Sequence, residues 1–229
     1  MGLKEDLDTE VAQIFRKIWT VRDGDKVPEA EDVALGNEGV RLDATVLYAD
    51  ISGSTKLVDN YDASFAGEIY KTYLHCAAKV IRDRGGTITA YDGDRIMAVF
   101  IGDSKNSNAA ETALKINYAR SKIINPAITT QYPKSTFQLA HAIGIDTSTL
   151  LAARTGVRGA NDLVWVGRAA NHAAKLTELP ASYSYATEST YKRFKSEVKT
   201  HDGKDMWERT IWSSMNNAVI YRSGWTWGI

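Results

Sequence analysis

The sequence predicts an α+β fold of the ferredoxin-like β-α-β-β-α-β type, with helices on one face of a sheet and an elaborated C-terminal part. Three observations support this order. An apolar run at 43–49 precedes a long helical pattern, two strand-like runs flank Asp92-Gly93-Asp94, and a second helical pattern leads to a strand at 137–145.

Local signals justify each element. Helices follow from apolar residues at three- and four-residue spacing, and the Asp-Gly pair between two strand-like runs is a strong hairpin signal. Proline and small polar residues indicate the ends. The predicted elements are a strand at 43–49, a helix at 54–82, strands at 87–91 and 95–101, a helix at 108–124 capped by Asn106 or Ser107, strands at 137–145 and 149–157, a short apolar run at 163–166, a helix at 168–179 ended by Pro180, a short helix at 188–196 and a hairpin within 207–222.

The N-terminal segment has a different character. Residues 5–19 predict an amphipathic helix, whereas residues 22–41 are rich in Asp, Glu, Gly and Pro and predict a linker. We therefore predict an N-terminal helix and linker at 1–40 and one main domain at 41–229. We expect the apolar side of the helix to dock on its own domain or on a sister subunit. A membrane-surface role is less favoured because the polar side of the helix is mixed in charge.

Composition excludes several classes of protein. The 28 basic and 28 acidic residues cancel, which argues against a nucleic-acid-coating protein. The single cysteine, Cys76, cannot form an intrachain disulfide and favours a reducing compartment. The sequence contains neither an apolar run of about 20 residues nor an apolar N-terminal leader. We expect a cytoplasmic protein with no membrane or nucleic-acid partner.

Two aspartates are candidate metal ligands. Asp50 follows the first predicted strand, and Asp94 precedes the third. These strands are neighbours in a ferredoxin-like sheet, so the two carboxylates meet at one edge. Like charges there repel unless a cation lies between them, and oxygen ligands suit Mg²⁺ or Mn²⁺ carried with phosphates. The alternative is that Asp50 serves a helix cap and that Asp92 and Gly93 only form a turn.

Ser52-Gly53-Ser54-Thr55 follow directly after Asp50 and Ile51. Small polar residues at the start of a helix leave backbone N–H groups that can bind a phosphate. On a helix further along, Asn171 and Lys175 lie four residues apart on one face, among alanines. The amide side chain could hold a ribose, and the cationic side chain could stabilise the negative charge that develops on a phosphate in a transition state. The alternative is an ordinary surface helix with an alanine-rich buried side.

Together, Asp50 to Thr55, Gly93 to Phe100 and Gly167 to Leu176 resemble the three motifs of the class III nucleotide cyclases, over roughly residues 42–178. The resemblance implies two divalent cations, Mg²⁺ or Mn²⁺, held by Asp50, the Ile51 carbonyl and Asp94. It implies that Asn171 orients the ribose and that Lys175 replaces the family's transition-state arginine. It also implies a head-to-tail homodimer whose active sites combine residues of both chains.

The positions that read a purine in adenylate cyclases are altered. Ala90 and Val164 stand where the family has polar side chains. Tyr48 and Arg95 are further departures, and an Arg fork suits the carbonyls of uracil; the alternative for Arg95 is a hairpin side chain that points to solvent. Without the polar partners, the site has no evident means of selecting adenine or guanine.

This combination resembles the pyrimidine cyclases of bacterial Pycsar anti-phage systems. The resemblance implies conversion of UTP to 3′,5′-cyclic UMP, with CTP as the alternative substrate, and a product that acts on a separate effector protein. Adenylate or guanylate cyclase activity and a catalytically silent nucleotide-binding dimerisation module are the rival hypotheses. A diguanylate cyclase is disfavoured because the chain has no Gly-Gly-Asp-Glu-Phe-like hairpin.

Overall fold

A computed structural model describes residues 2–229, which fold as two units. The first unit contains the residues up to Asp43 together with Thr149–Gly167, and the second contains Ala44–Ser148 with Arg168–Ile229. Two long strands, Glu38–Ile51 and His141–Val157, have residues in both units. The predicted domain boundary at residue 40 stays a prediction.

The first unit contains one helix and the ends of a small set of strands. β1 pairs in parallel with the start of β2, and β6 pairs antiparallel with the end of β5. Because the end of β1, a 3₁₀ turn and the start of β2 lie within 22–41, this segment is not wholly irregular. Its elements are α1 (Leu3–Arg16), β1 (Thr20–Asp23), a 3₁₀ turn (Ala30–Asp32), the first part of β2 (Glu38–Ile51), the last part of β5 (His141–Val157) and β6 (Ala160–Val166).

The second unit is built on a sheet whose strands have the order β10-β11-β7-β5-β2-β4-β3. The section β5-β2-β4-β3 is the ferredoxin-like order, which confirms the prediction that the first and third predicted strands are neighbours. The other strands extend this sheet and are the C-terminal elaboration. The strands are β3 (Thr87–Asp92), β4 (Arg95–Phe100), β7 (Tyr183–Thr187), β10 (Glu208–Trp212) and β11 (Ala218–Ser223), and a separate two-stranded sheet contains β8 (Thr200–His201) and β9 (Lys204–Asp205).

Six helices belong to the described part of the second unit besides two short irregular turns. None of the helices in residues 2–229 has the length and apolar character needed to cross a membrane. The helices are α2 (Ser54–Asn60), α3 (Ala63–Asp83), α4 (Lys105–Tyr118), α5 (Asn125–Gln131), α6 (Arg168–Leu176) and the single-turn α7 (Glu188–Lys192), and the turns are a π segment at Ala119–Ile124 and a 3₁₀ turn at Ser196–Val198.

Several predicted boundaries were wrong. The helix predicted at 54–82 is two helices, because Tyr61 takes an extended conformation and its ring stacks on Phe65 at 4.9 Å. The next helix starts at Lys105 with Ser104 at its N-cap, so neither Asn106 nor Ser107 caps it. The strands predicted at 137–145 and 149–157 are one strand, β5, because pairing to different neighbours continues along its whole length. The helix predicted at 168–179 ends at Leu176, and the one predicted at 188–196 ends at Lys192.

Side chains of β2 alternate between the buried core and the opposite face of the sheet. Leu47, Ala49 and Ile51 are buried in a core that also contains residues of α3 and α4. Successive side chains of a strand point to opposite faces, so Tyr48 and Asp50 lie on the other face, where both are half-buried. The helices α3 and α4 therefore cover one face, whereas α6 packs on the other face against Gly144 of β5, on the same side of the sheet as Tyr48 and Asp50.

Candidate active site

Asp50 and Arg95 form an ion pair at the edge of the sheet. Asp50 on β2 lies directly opposite Arg95 on β4, and Arg95 lies opposite Asp92 on β3. Residues paired in this way point to the same face of a sheet. Arg95 Nε lies 3.4 Å from Asp50 Oδ2, and no described residue accepts a hydrogen bond from that nitrogen. Arg95 therefore neutralises Asp50 without a strong hydrogen bond, and it does not simply point to solvent.

The environment of Asp50 disfavours its negative charge. Burial raises the pKa of Asp50 from its ordinary value of 3.8 to about 6, against the opposing effect of Arg95. The charge of Asp94 raises this pKa further, whereas a hydrogen bond from Thr177 lowers it. Thr177 Oγ1 lies 3.4 Å from Asp50 Oδ2. A carboxylate that resists ionisation near a second carboxylate is the arrangement that a bound cation would relieve.

Asp94 supplies the second carboxylate. It lies in the two-residue turn between β3 and β4, after Gly93, whose φ of +61° is a left-handed conformation that glycine adopts without strain. Asp94 Oδ2 is buried and accepts no hydrogen bond from any described residue. A buried oxygen without a hydrogen-bond partner is costly, so this one is suited to binding a cation.

The two carboxylates fit a divalent cation that is only partly held by protein. Residues 2–229 contain no group of three or more His, Cys, Asp or Glu side chains that could hold a metal ion. Mg²⁺ is commonly bound through one or two carboxylates together with substrate phosphates. Asp50, Asp94 and backbone oxygens are thus sufficient for a cation that arrives with a phosphorylated ligand.

A second row of paired residues lies beside the first. Tyr48 is opposite Met97, and Met97 is opposite Ala90. Burial raises the pKa of Tyr48, opposed by the charge of Arg95, so the hydroxyl keeps its proton. Three of the predicted base-pocket residues, Tyr48, Ala90 and Arg95, therefore lie on neighbouring rows of one face. The fourth, Val164, lies on β6 in the first unit, where it pairs with Ala153 and is 39% exposed.

The predicted phosphate loop is only partly available. The N–H of Ser52 donates to the carbonyl of Ala140 at 2.9 Å, so the prediction that it is free for a phosphate was wrong. Gly53 is the N-cap of α2, with φ of +78° and no side-chain cap, and Ser54 and Thr55 begin the helix. Ile51 ends β2 and its side chain is 4% exposed in the core, so only its backbone could reach a ligand.

Asn171 and Lys175 lie on one face of α6, and both are exposed. No hydrogen bond or ion pair to either side chain is formed within residues 2–229. The opposite side of the helix is buried, through Ala169 and Ala173. A single chain therefore does not bring Asn171 and Lys175 into contact with Asp50 and Asp94.

A buried ionic network holds the first turn of α6, and sequence reasoning missed it. Asp146 on β5 is fully buried and accepts hydrogen bonds from Arg168 Nε at 3.1 Å and from the Thr187 hydroxyl. Arg168 also donates to the carbonyl of Thr147 at 2.7 Å. Only the tertiary structure joins these residues, although an aspartate inside an otherwise apolar strand was a usable signal.

No protein-family model matches the chain. Several curated proteins resemble it over nearly their full length. The "Uridylate cyclase" of Xanthomonas perforans is 53% identical over 230 residues, which cover 100% of both chains. That of Burkholderia cepacia is 47% identical over 231 residues, again covering 100% of both, and that of Rhodovulum sp. (strain MB263) is 38% identical over 233 residues, covering 98% of this chain and 97% of the relative.

Solved structures show the same fold at lower identity. The guanylyl cyclase Cya2 has a TM-score of 0.69 at 18% identity and covers 82% of this chain and 95% of its own. The adenylyl cyclase CyaB from P. aeruginosa has a TM-score of 0.64 at 23% identity and covers 81% and 95%. The predicted α+β cyclase fold and the predicted enzyme class are thereby confirmed. The chain belongs to the uridylate cyclase family, within the class III nucleotide cyclases.

Proposed function

We propose that this cyclase converts UTP into 3′,5′-cyclic UMP and pyrophosphate. The names of three full-length relatives at 38–53% identity support the substrate. The observation that carries the chemistry is the carboxylate pair, in which the pKa of Asp50 is raised to about 6 beside Asp94, whose Oδ2 has no partner among the described residues. CTP is the alternative substrate.

The reaction is an intramolecular displacement at phosphorus. The ribose 3′-oxygen forms a bond to the α-phosphorus, the bond from that phosphorus to the β-phosphate oxygen breaks, and the 3′-hydroxyl proton is released. Two divalent cations, Mg²⁺ or Mn²⁺, would activate the hydroxyl and neutralise the pyrophosphate. Asp50, Asp94 and the Ile51 carbonyl would hold them. The N–H groups of Gly53, Ser54 and Thr55 would contact the phosphates.

Arg95 and Tyr48 are the proposed base contacts. Arg95 approaches Asp50 through Nε, and its two terminal nitrogens are further donors that could bind the carbonyls of uracil. The protonated Tyr48 hydroxyl is on the same face. Ala90 adds only a methyl group, which leaves room for a base without a polar contact. The place of Val164 in this pocket stays a prediction from the sequence.

We propose a homodimer with composite sites, in which Asn171 and Lys175 come from the second chain. Their exposure, and the absence of partners for them within residues 2–229, supports this arrangement. Asn171 would orient the ribose. Lys175 would stabilise charge on the phosphates, without the bidentate fork of an arginine. We further propose that the cyclic nucleotide activates a separate effector protein in bacterial antiviral defence, which rests on the resemblance alone.

Incubation of the purified protein with each of the four nucleoside triphosphates and Mn²⁺ tests the substrate. Cyclic UMP should dominate, and cyclic AMP as the main product would refute the base assignment. Asp50→Ala and Asp94→Ala should abolish turnover and preserve the folded state. Asp59→Ala, which removes an exposed carboxylate at the far end of α2, is the matched control and should retain activity.

A further inference from the structure

The α1 helix presents an apolar face that no described residue covers. Leu3, Leu7, Val11, Ile14 and Phe15 fall within one third of the helix circumference, at the spacing of a single helical face. Their exposures range from 48% to 85%, and α1 has no buried residue at all. Ile18 and Trp19 continue the apolar surface just beyond the helix at 87% and 47% exposure. Contiguous exposed apolar side chains of this size indicate a contact surface.

The helix is anchored at its C-terminal end. The side-chain amide of Asn37, which is only 4% exposed, donates to the carbonyls of Ile14 at 2.7 Å and Lys17 at 2.6 Å. These are carbonyls that a helix end leaves without an internal partner. Because they are satisfied by a buried side chain, α1 is held as part of the first unit, and its face is presented in a defined orientation.

The exposure and the charge of α1 restrict what can cover this face. The helix does not dock on its own domain, since its apolar residues are all exposed. A membrane surface is disfavoured because Leu3–Arg16 contains four acidic and two basic side chains, a net charge of −2. Helices that bind anionic lipid are rich in Lys and Arg on their polar face. With its own domain excluded and a membrane disfavoured, the partner that is left is a protein surface whose charges complement those of α1.

The distribution of charge along α1 suits antiparallel pairing with the α1 helix of a second copy of the chain. The acidic residues Glu5, Asp6, Asp8 and Glu10 lie within its first eight residues together with Lys4, whereas Arg16 ends the helix and Lys17 follows it. Asp6 and Glu10 border one edge of the apolar face. In an antiparallel pair they would approach Lys17 of the partner subunit, whereas a parallel pair would align acid with acid. Antiparallel packing also orients the two helix dipoles in opposite directions, which is electrostatically favourable.

We propose that the α1 face packs against the α1 face of a second copy of this chain, antiparallel, about a two-fold axis close to Val11. Leu7, Val11 and Ile14 have the alternating spacing of four and three residues that produces a seam between two helices, and Ile18 continues the apolar surface just beyond the helix. A two-fold axis makes the same patch serve both subunits. The α1 helix contains none of the residues proposed for catalysis, so this inference does not depend on the proposed function.

Disulfide trapping tests the pairing and its direction. In a full-length Cys76→Ser background, Val11→Cys should form a disulfide-linked dimer on oxidation, because residues near the axis meet their own copies. Leu3→Cys is the matched control. It lies eight residues from Val11, so its two copies would be about 24 Å apart, far beyond disulfide reach. Random collisions would favour Leu3→Cys, since Leu3 is 76% exposed and Val11 is 48% exposed.

Each outcome decides the proposal. Cross-linking at Val11→Cys alone supports it, whereas equal cross-linking at both positions, or none at either, overturns it. Sedimentation equilibrium gives an independent measure: Leu7→Glu should weaken self-association at least about tenfold, with an unchanged far-UV spectrum. Lys17→Glu should weaken it as well, and adding Asp6→Lys should restore it. Co-sedimentation of the wild type with phosphatidylglycerol vesicles that Phe15→Glu abolishes would assign the face to membrane and refute the pairing.

Discussion

Gly144→Ala tests whether the position of α6 controls catalysis. Gly144 lies on β5, opposite Tyr185 of β7, where α6 crosses the sheet. A Cβ atom added there would lie 2.0 Å from the carbonyl oxygen of Ala173 and 2.7 Å from the Cβ of Leu176. The nearest atom belongs to the backbone, so no side-chain rotation can relieve the overlap.

The displacement follows from these distances. An ordinary contact begins at 3.4 Å, so α6 must retreat by about 1.4 Å or the strand must bend away. Overpacking of this kind costs about 1–3 kcal/mol of stability. A misplacement of about 1 Å can also cost about a hundredfold in rate when catalytic groups move with the element. We therefore expect kcat for cyclic nucleotide formation to fall about a hundredfold, because α6 carries Asn171 and Lys175.

Urea unfolding and steady-state kinetics with UTP measure the two effects separately. Gly67→Ala is the matched control: Gly67 lies in α3, and an added Cβ would meet nothing within 4 Å. That change should stabilise the protein by about 0.5–1 kcal/mol and leave kcat unchanged. A Gly144→Ala protein with wild-type stability would refute the close packing of α6. A destabilised variant with wild-type kcat would refute the link between this helix and catalysis.

Two further predictions concern buried carboxylates. The pKa of Asp50 is raised to about 6 in the folded state from 3.8, so the stability tied to its proton is fully present below about pH 4 and is lost as the pH rises through 6. In metal-free buffer, the free energy of unfolding of Asp50→Asn should therefore rise by about 1–2 kcal/mol relative to that of the wild type between pH 4 and pH 7. This figure is reduced from the full pKa shift because solvent partly screens the carboxylate. Parallel stability curves for the two proteins would contradict this. Arg168→Met leaves the fully buried Asp146 without its guanidinium and should cost about 2–3 kcal/mol in denaturant unfolding. Adding Asp146→Asn should recover part of that loss, and a double variant less stable than Arg168→Met would refute the unpaired buried charge as its cause.

The motifs were predictable because each is a local sequence pattern. Asp50 follows an apolar run, Asp94 lies in an Asp-Gly hairpin, and Asn171 and Lys175 share one face of a helix. Local patterns of this kind determine which residues are strand, turn and helix, and hence which ends of strands carry carboxylates. The neighbouring positions of β2 and β4 followed from the strand order alone.

Other features depend on contacts between residues far apart in the chain, which no local pattern encodes. The residue types predicted that the carboxylates of Asp50 and Asp94 meet at one edge of the sheet. The hydrogen bond from Ser52 to the Ala140 carbonyl and the approach of Thr177 to Asp50, however, exist only after the strands and α6 have packed. The break at Tyr61 likewise arises from ring packing that overrides helix propensity.

By itself the sequence determined the type of chemistry, since the acidic, amide and basic residues lie at fixed points of a predictable α+β topology. Only the tertiary structure decided how those groups are charged and what surrounds them. Burial beside Asp94 sets the protonation of Asp50, the Asp146 network holds α6, and no residue among 2–229 covers the apolar face of α1. Desolvation and packing depend on the whole fold, so a single chain segment cannot reveal them.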